Sequence, residues 1–360
     1  MARVKNKRSL FSRILFGFVA VVLSILLVLS YLAVIVNPSK VWWLSLVGPA
    51  YLPLLGLSLL WFILGIFRSS RTTLLVGLAL LPSLLFAGRY CKFKAPEEAP
   101  SDLSIVSYNV GRFSQADGSP ERLQAAEEVA RMLDGLDADV VCLQEFYLPS
   151  GVDIDMYLRQ IFKGYKTEYY IDTGSKGVSG NVTASRFPIK GKGHLDFAKS
   201  ANHAIWTDID MGGTTVRVYN CHFESYNISL PGIFRSATHG DEQEMEKTEK
   251  KMRTAITRRA SQVDSVRVSC DRAPVRSVIA GDFNDTPLSY TYQQLIRGRK
   301  DSFSAAGKGF GATYRGTGPL LRIDYLLVPE DLETVSYETV RVPYSDHFPI
   351  RATYRVKKSI

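Results

Sequence analysis

Acidic residues are absent from the first 96 positions of this 360-residue chain. The same stretch carries 11 of the 44 Lys and Arg residues, so the remaining 33 face all 35 acidic residues and leave a net charge of about −2. The overall charge of +9 therefore belongs to the N-terminal part. Because nucleic-acid-binding domains usually carry excess positive charge, net charge gives the later part no support as such a domain.

Cysteine is scarce, and its spacing is uninformative. The four residues Cys91, Cys142, Cys221 and Cys270 form no CxxC pair and no dense framework. They neither require nor exclude an oxidising compartment. The chain also contains no internal repeat and no low-complexity tract.

Long uncharged apolar runs dominate the N-terminal part. Ile14–Val36 has 23 such residues, enough to cross a hydrocarbon core of about 30 Å at about 1.5 Å per residue. A cleaved signal peptide is the alternative, but this run exceeds a typical signal core and further apolar segments follow. Val41–Phe67 is a second candidate span. Thr72–Ala87 has only 16 residues and contains Pro82, so it is either a short tilted span or an interfacial segment.

Loop charge predicts the orientation in the membrane. With three spans and a cytoplasmic N-terminus, seven basic residues lie inside and four outside, which places the part after the anchor outside the cytoplasm. With two spans the orientation reverses. We therefore expect an integral protein of the cell inner or plasma membrane, with the lipid bilayer as its first partner. Residues 1–95 are predicted to form an anchor of two or three transmembrane helices, and residues 96–360 an extracytoplasmic globular domain.

The globular part alternates short β-rich runs with helix-like stretches such as Glu121–Leu136, which predicts an α/β (α+β) fold of packed sheets flanked by helices. Each predicted strand carries a polar residue at or near its end, as expected where a sheet builds an active site. The predicted strands are Leu103–Val110, Asp139–Phe146, Gly180–Ile189, Thr215–Phe223, Val275–Asn284 and Arg322–Pro329.

A charged excursion, Glu224–Thr257, interrupts this pattern. Its latter part, Asp241–Lys251, begins a helix that is predicted to continue through Val268, and its charges are typical of a solvated helix face. Because the excursion starts just after His222, it is placed to cover or narrow a site there.

Several carboxylates follow apolar runs and suggest a metal site. Glu145 ends one buried run, and Asp282 and Asn284 are spaced by two, which puts both side chains on one side of an extended segment. Hard oxygen ligands of this kind suit Mg²⁺. Taken alone, however, Glu145 reads as an exposed strand end, and the segment around Asp282 as a turn.

Two histidines have suggestive neighbours. His347 follows Asp346 near the C-terminus, and His222 ends a strand; the alternatives are an unimportant surface pair and a satisfied structural histidine. The remaining three histidines, His194, His203 and His239, are interpreted as structural or surface residues.

Together these pieces resemble the endonuclease/exonuclease/phosphatase superfamily of metal-dependent phosphoesterases. The resemblance spans about residues 102–356 and implies a four-layer α/β sandwich, with two packed mixed β-sheets flanked by helices, preceded here by the transmembrane helical anchor. It rests on six short segments in the family's order: Ser107–Val110, Leu143–Glu145, Asn220–His222, Gly281–Asp285, Arg322–Tyr325 and Ser345–His347.

The resemblance also implies roles for individual residues. Glu145 would hold the metal, Mg²⁺ or Mn²⁺ as its substitute, with help from Asn109 and Asp346. His347 would act as general base on the attacking water, oriented by Asp324. A Lewis acid and a base of near-neutral pKa are what phosphoester hydrolysis needs.

Three further residues have implied roles near the phosphate. Asp282 and Asn284 would position the phosphate and the nucleophile, and His222 would contact the phosphate. The chain departs from the family pattern in Gly180–Ser185, which is more polar than usual, so Asn181 and Thr183 are candidates for substrate specificity.

The sequence leaves the substrate open. The favoured reading is a membrane-anchored, Mg²⁺-dependent phosphoesterase that acts on a lipid head group, a phospho-sugar or another small phosphoester. The alternative is a metal-dependent nuclease, and a catalytically silent binding domain is a third reading. A nuclease would need a local phosphate track, for which the candidates are Arg112, Arg186, Lys190, Lys192, Arg315 and Arg322.

Overall fold

A computed structural model describes residues 10–68, 71–93, 99–114, 122–148, 151–174, 177–226, 242–316 and 321–357. The chain forms two compact units. One comprises Met1–Gly88 with Leu288–Tyr290, and the other comprises Arg89–Pro287 with Thr291–Ile360. Of the excursion after His222, residues 227–241 lie outside the described ranges, and so does His239.

The first unit consists of apolar helices. They are α1 (Leu10–Leu32), α2 (Tyr51–Arg68), α3 (Thr72–Leu80) and α4 (Ser83–Phe86), with a 3₁₀ turn at Trp42–Leu46 before α2 and another at Ala87–Arg89. In the described part of the chain, three helical segments are long and apolar enough to cross a membrane: Leu10–Leu32, Tyr51–Arg68 and Thr72–Arg89. The third segment, predicted as Thr72–Ala87, thus becomes long enough to span a membrane because its helical residues continue to Arg89.

Aromatic and polar contacts join these helices. Phe16 on α1 stacks on Trp61 of α2, with ring centroids 4.7 Å apart, and the Trp61 indole donates to the Phe16 carbonyl at 3.1 Å. Tyr31 donates to the Ala79 carbonyl at 3.0 Å and lies 2.6 Å from the Ser83 hydroxyl. These bonds give the polar groups of apolar helices internal partners, which a lipid environment requires.

The second unit contains the strands. In chain order they are β1 (Cys91–Lys92), β2 (Leu103–Asn109), β3 (Val140–Leu148), β4 (Lys166–Gly174), β5 (Gly177–Ser185), β6 (Ile189–Asp196), β7 (His203–Asp210), β8 (Thr215–His222), β9 (Arg276–Asp282), β10 (Arg299–Asp301), β11 (Gly309–Phe310), β12 (Asp324–Pro329), β13 (Leu332–Thr339) and β14 (Ile350–Val356).

Twelve of these strands form two six-stranded mixed sheets, with orders β13-β14-β2-β3-β5-β4 and β10-β12-β9-β8-β7-β6, while β1 pairs with β11. The six strands predicted from sequence all occur, with bounds shifted by three residues or fewer at their starts and four or fewer at their ends. The helices that the described residues of this unit form are α5 (Arg122–Gly135), α6 (Ile154–Ile161), α7 (Glu242–Asp271), α8 (Tyr290–Leu295) and α9 (Ser302–Ala306).

Three hydrophobic clusters define four layers. One lies between the sheets and joins residues such as Ile105 and Cys142 to Val218 and Leu326. A second joins the first sheet to α5 and α6, and a third joins the second sheet to α7 and α8. The predicted four-layer α/β sandwich is therefore confirmed.

Each sheet contains one parallel pair, and these pairs position the site. β2 and β3 are parallel and connected through α5, and β8 and β9 are parallel and connected through α7. Parallel neighbours end at the same edge of a sheet, so polar residues that follow them converge there.

Candidate active site

The candidate site lies at the carboxyl ends of the two parallel pairs. Asn109 ends β2, and the register pairs it with Gln144, the residue before Glu145. His222 ends β8 and pairs with Asp282 at the end of β9. Asp282 also pairs with Asp324 at the start of the antiparallel strand β12. Two sheets thus deliver five side chains to one place.

A β-bulge directs Glu145 into the site. The register of β3 against β5 shifts between Leu143 and Phe146, so Gln144 and Glu145 oppose a single residue of β5. Glu145 adopts a positive φ of 52°, which is uncommon for a residue other than glycine and marks local strain. Gln144 is buried between the sheets and donates to Asn220 at 2.8 Å, whereas Glu145 remains 31% exposed. The bulge therefore separates a structural amide from a carboxylate that can reach a ligand.

Asp282 lies at the centre of the cluster and is 1% exposed. Its Oδ2 accepts hydrogen bonds from the amides of Asn109 at 3.0 Å and Asn284 at 3.1 Å. The same oxygen lies 3.8 Å from Nε2 of His222 and 3.8 Å from Nε2 of His347. Burial raises the pKa of Asp282, and the two histidines oppose that rise.

Asp324 and His347 form a buried pair. Nδ1 of His347 lies 2.9 Å from Oδ2 of Asp324, which is hydrogen-bond distance. The backbone N–H of Asp324 donates to the Thr313 hydroxyl, and that of His347 donates to the Ser345 hydroxyl. The imidazole is therefore held with Nε2 directed toward Asp282, as a carboxylate-oriented base requires.

The charges around His347 control its proton affinity. Burial alone would lower the pKa of His347, but the carboxylates of Asp324 and Asp282, with the hydrogen bond to Asp324, raise it to about 10. In the absence of a cation, these carboxylates therefore favour the protonated form of His347. Positive charge placed beside these carboxylates would lower this pKa toward the range in which a base works.

Asn109 and Asp346 lie close to one another through Ser345. The Ser345 hydroxyl donates to the Asn109 carbonyl at 2.8 Å and lies 3.2 Å from Oδ1 of Asp346. Gly111 adopts a positive φ of 54°, and a Cβ there would lie 2.9 Å from Ser345 Oγ and 3.3 Å from Asp346 Oδ1. Glycine at this position lets the loop pass close to the exposed Asp346 carboxylate.

The donors around Glu145 suit a hard cation. Among the described residues, its carboxylate has only long contacts, to Asn109 at 3.3 Å, His222 at 3.5 Å and Arg112 at 3.7 Å. None of these is short enough to be a strong charge-assisted bond, so oxygen lone pairs remain available. Asp282, Asp324 and His347 also place one ligand atom each within 4.8 Å of one another and could hold a metal. The residues present therefore fit a divalent cation at this edge.

The structure contradicts the roles expected for Asn181, Thr183 and Arg322. Asn181 and Thr183 are fully buried between the sheets, where Asn181 donates to the His203 and Asn220 carbonyls, so they are not on a substrate-facing surface. Of the proposed phosphate track, Arg322 is 2% exposed and paired with Asp301 at 2.6 Å. Four further members of the track are paired with acidic residues: Arg112 with Glu145, Arg186 with Asp137, Lys190 with Asp210 and Lys192 with Glu168.

Sequence reasoning missed one functional neighbour, Arg259, and named Arg112 only as a member of the phosphate track. Arg112 reaches Glu145 from a 3₁₀ turn, Gly111–Phe113, and has a positive φ of 57°. Arg259 is buried and donates to the Asn284 and Glu224 carbonyls at 2.7 and 2.9 Å. The sequence places Arg259 in a predicted helix, but it cannot show that the guanidinium donates to two backbone carbonyls.

Gly281 tests how closely the parallel strands must approach. Its φ is 135°, and a Cβ there would lie 1.9 Å from the Cys221 carbonyl oxygen. We expect Gly281→Ala to destabilise the domain by about 3 kcal/mol or more, because strain and a backbone clash add. Thermal melting of the detergent-solubilised full chain measures the effect. Gly135→Ala, on α5 with nothing within 4 Å, is the control and should leave the melting temperature unchanged or higher; equal melting of both variants would contradict the argument.

His203 predicts a loss of stability in acid. Burial, with His222 nearby, lowers the pKa of His203 to about 4, and its Nε2 lies 3.2 Å from the Asn181 N–H and 2.9 Å from the Tyr170 carbonyl. In the unfolded chain His203 takes up a proton near pH 6.5, whereas in the folded chain it stays neutral until about pH 4. Stability is therefore present above pH 6.5 and falls by about 3 kcal/mol as pH drops through this window.

The check is the melting temperature of the full chain between pH 7 and pH 4. His203→Gln should flatten the acid-side decline, while His194→Gln, which changes an exposed histidine, should not. A decline that is identical in the His203 variant would show that other groups control it.

Known proteins resemble this chain in sequence and in fold. The model of the Endonuclease/Exonuclease/phosphatase family matches residues 106–347, and that of a domain of unknown function matches residues 12–90. An endonuclease/exonuclease/phosphatase structure from Beutenbergia cavernae is similar at TM-score 0.52 and 19% identity, covering 71% of this chain and 72% of that one. One from Bacteroides vulgatus is similar at TM-score 0.52 and 18% identity, covering 71% and 98%. A comparison with curated protein sequences finds no match.

The family match covers most of the chain and includes every candidate catalytic and metal-binding residue. The chain belongs to the endonuclease/exonuclease/phosphatase family. Members of this family are metal-dependent hydrolases that act on phosphoesters.

Proposed function

We propose that this protein is a membrane-anchored, Mg²⁺-dependent phosphoesterase that hydrolyses a phosphodiester or phosphomonoester with a histidine-activated water. The observation that carries the proposal is the buried Asp324–His347 pair, whose free nitrogen lies 3.8 Å from Asp282. His222 bridges Asp282 and Glu145 at 3.8 and 3.5 Å. A base, a phosphate contact and a cation ligand thus lie within one cluster.

Each residue then has a task in the reaction. His347 takes the proton of the attacking water at Nε2, while Asp324 fixes the ring through Nδ1 and stabilises the imidazolium that results. Asp282, held by the Asn109 and Asn284 amides, orients the water and the phosphate. His222 donates to a phosphate oxygen. Arg112 lies at the mouth of the site and is 59% exposed, so it can meet an incoming phosphate.

Glu145 is the residue we assign to the cation, with Asn109 and Asp346 as its neighbours. Bound there, Mg²⁺, or Mn²⁺ in its place, would supply Lewis-acid stabilisation of the developing oxyanion charge. The cluster Asp282, Asp324 and His347 is the other arrangement that could hold a metal. We favour Glu145 because the hydrogen bond from His347 to Asp324 already gives those two groups the geometry of an oriented base.

A small phosphoester is favoured over DNA as the substrate. The net charge of the chain after residue 96 is about −2, and five of the six cations of the proposed DNA track are paired with carboxylates. Nuclease activity remains the second candidate function because the family includes it.

The deciding experiment uses the full chain in detergent with Mg²⁺. A chromogenic phosphodiester, plasmid DNA and a panel of phospholipids are assayed side by side, with Glu145→Ala as the blank. Variant-sensitive cleavage of the small ester or the lipid supports the proposal. Cleavage of DNA alone would replace it with a nuclease, and no variant-sensitive cleavage at all would count against catalysis.

We propose that residues 1–95 anchor the protein in the membrane and that residues 96–360 form the catalytic domain on the extracytoplasmic side. The support is three helical segments of spanning length and the excess of basic residues on the side of the membrane where the N-terminus would lie. Alkaline phosphatase fused after Gly88 should be active in intact cells, and the same reporter fused after Arg71, before the third segment, should be inactive. The reverse pattern would place the domain inside.

A further inference from the structure

Backbone strain is concentrated at the candidate active site. Six non-glycine residues of the described ranges have a positive φ, a conformation that L-amino acids rarely adopt. Two of them, Asp137 and Lys199, have no assigned role. The other four belong to the site: Arg112 (57°), Phe113 (54°), Glu145 (52°) and Asn284 (50°). Strained residues persist where the surrounding structure holds them, and they cluster at functional sites, so the strain at each of these four needs a reason.

The 3₁₀ turn Gly111–Phe113 is left-handed throughout, since Gly111 also has a positive φ, of 54°. Two attachments hold this turn. The Gly111 N–H donates to Oδ1 of Asn109 at 3.0 Å. The Phe113 ring is 1% exposed and packs edge-on against Phe146, with centroids 5.1 Å apart. The buried ring and the hydrogen bond thus stabilise a backbone that is unfavourable by itself.

Packing does not explain why residue 112 is an arginine. The Arg112 side chain is 59% exposed, so it does not fill the core. Glycine would adopt the same φ with less strain. An arginine here therefore lowers the stability of the fold without improving its packing, which points to a task for the guanidinium.

The guanidinium of Arg112 lies beside the carboxylate that we assign to the cation. Its Nε is 3.7 Å from Oε2 of Glu145, and an exposed pair of this length contributes little to stability. Within the described ranges this contact uses Nε alone. The two terminal nitrogens, which can bind two oxygens of one phosphate side by side, are therefore available to a ligand.

The carboxylates of the site repel a phosphate. Four of them lie at this edge of the sheets: Glu145, Asp282, Asp324 and Asp346. Repulsion between like charges is strong where water is scarce, so a phosphate binds here only if positive charge lies between it and the carboxylates. A cation at Glu145 would supply part of that charge.

Arg112 supplies a further positive charge beside Glu145. The other basic side chains of the site have closer partners. His347 lies 2.9 Å from Asp324, and His222 lies 3.5 Å from Glu145. Arg315 donates to two backbone carbonyls, at 3.3 and 3.4 Å. Arg112 has its loose contact with Glu145, and its charge is permanent at every working pH.

We propose that the left-handed turn holds Arg112 beside Glu145 so that its guanidinium and the cation bind the same phosphate group of the substrate from two sides. This inference rests on the proposed function and adds a reason for the strain: the turn lowers stability and raises the affinity for phosphate. The guanidinium and the cation approach one carboxylate, so they repel each other until a phosphate lies between them. Removal of Arg112 should therefore change the affinities for cation and for phosphate in opposite directions.

The first test measures the strain. In the full chain in detergent, Arg112→Gly should melt about 2 °C above Arg112→Ala, because only glycine relieves the positive φ. Asp137→Gly and Asp137→Ala should differ in the same direction, since Asp137 has a φ of 48° and lies just before β3, away from the strand ends that carry the site. Comparing glycine with alanine cancels the loss of each side chain. An Arg112→Gly variant that melts no higher than Arg112→Ala would overturn the strain.

The second test measures binding without turnover. Calorimetric titration of inorganic phosphate into the full chain with saturating Mn²⁺ should give Arg112→Ala a Kd about tenfold above that of the wild type, because a charge-assisted contact is lost. Electron paramagnetic resonance of Mn²⁺ without phosphate should give the same variant a Kd about threefold below that of the wild type, because a positive charge beside Glu145 is gone. Arg131→Ala removes the same charge from an exposed position on α5 and should match the wild type in both.

The two signs together decide the inference. Weaker phosphate binding with tighter Mn²⁺ binding supports it. Weakening of both would mean that Arg112 only supports the structure of the site, and equal phosphate affinity would remove it from substrate binding; either result overturns the inference. A wild type that binds no Mn²⁺ would instead contradict the proposed function, and the phosphate titration repeated in EDTA would then decide whether Arg112 binds the anion.

Discussion

Glu145→Gln is expected to lower kcat by about 10³-fold. Glutamine keeps the size of the side chain and an oxygen that can accept from the Asn109 amide, but it removes the charge that would hold a divalent cation. Metal assistance contributes several kcal/mol to phosphoester hydrolysis, and each 1.4 kcal/mol is about a factor of ten in rate. The fold should survive, because Glu145 is 31% exposed and its hydrogen bond to Asn109 is long, at 3.3 Å.

The measurement is kcat of the full chain on a chromogenic phosphodiester across a Mg²⁺ titration. Besides the lower plateau, the variant should need more Mg²⁺ for half of its maximal rate. Glu338→Gln, which makes the same chemical change on the exposed edge strand β13, should match the wild type. A Glu145→Gln plateau within a few-fold of wild type would remove Glu145 from the metal site.

The strand ends could be predicted from the sequence because their signal is local. An apolar run that stops at a polar residue marks a buried strand with a functional edge, and Asn109, Glu145, His222 and Asp282 all occur in this pattern. The structure places all four at one edge. Their partners across the two sheets were supplied by the family resemblance, since no local pattern relates residue 109 to residue 282.

The bulge at Glu145 could not be predicted. Alternation along β3 predicts that Gln144 and Glu145 face opposite sides of the sheet, and it gives no sign of a bulge. Only the shift of register against β5 shows how Glu145 turns into the site. The same holds for burial of polar residues. Asn181 and Thr183 look like surface residues in a polar strand, but they hydrogen-bond between two packed sheets.

Charge was predicted better as a total than in its placement. The basic N-terminal part and the nearly neutral remainder are properties of the composition, whereas Arg322 shows what composition hides. Its guanidinium is buried against Asp301 and lies 4.6 Å from the Tyr325 ring centroid. Conversely, lysines of α7 that look merely solvated line a cavity. A sequence shows which charges exist, and only the fold shows which of them face a ligand.

The second large loss of kcat is expected at the buried Asp324–His347 pair. His347→Gln is expected to lower kcat by about 10²- to 10⁴-fold, because a positioned general base contributes that much. Asp324→Asn should have a smaller effect in the same direction, since the imidazole keeps its place but loses the carboxylate that fixes its tautomer and stabilises its charged form. His194→Gln, at an exposed position on β6, is the control and should retain wild-type turnover.

The double variant separates a functional unit from two independent contributions. Asp324 acts on the reaction through His347, at a distance of 2.9 Å, so removing it after His347 has gone should cost little more. The kcat of Asp324→Asn/His347→Gln should therefore equal that of His347→Gln within a few-fold, rather than reflect the product of the two single effects. Multiplicative losses would mean that Asp324 serves the site independently, as a metal ligand would. That result would move the cation from Glu145 to the Asp282 side of the cluster.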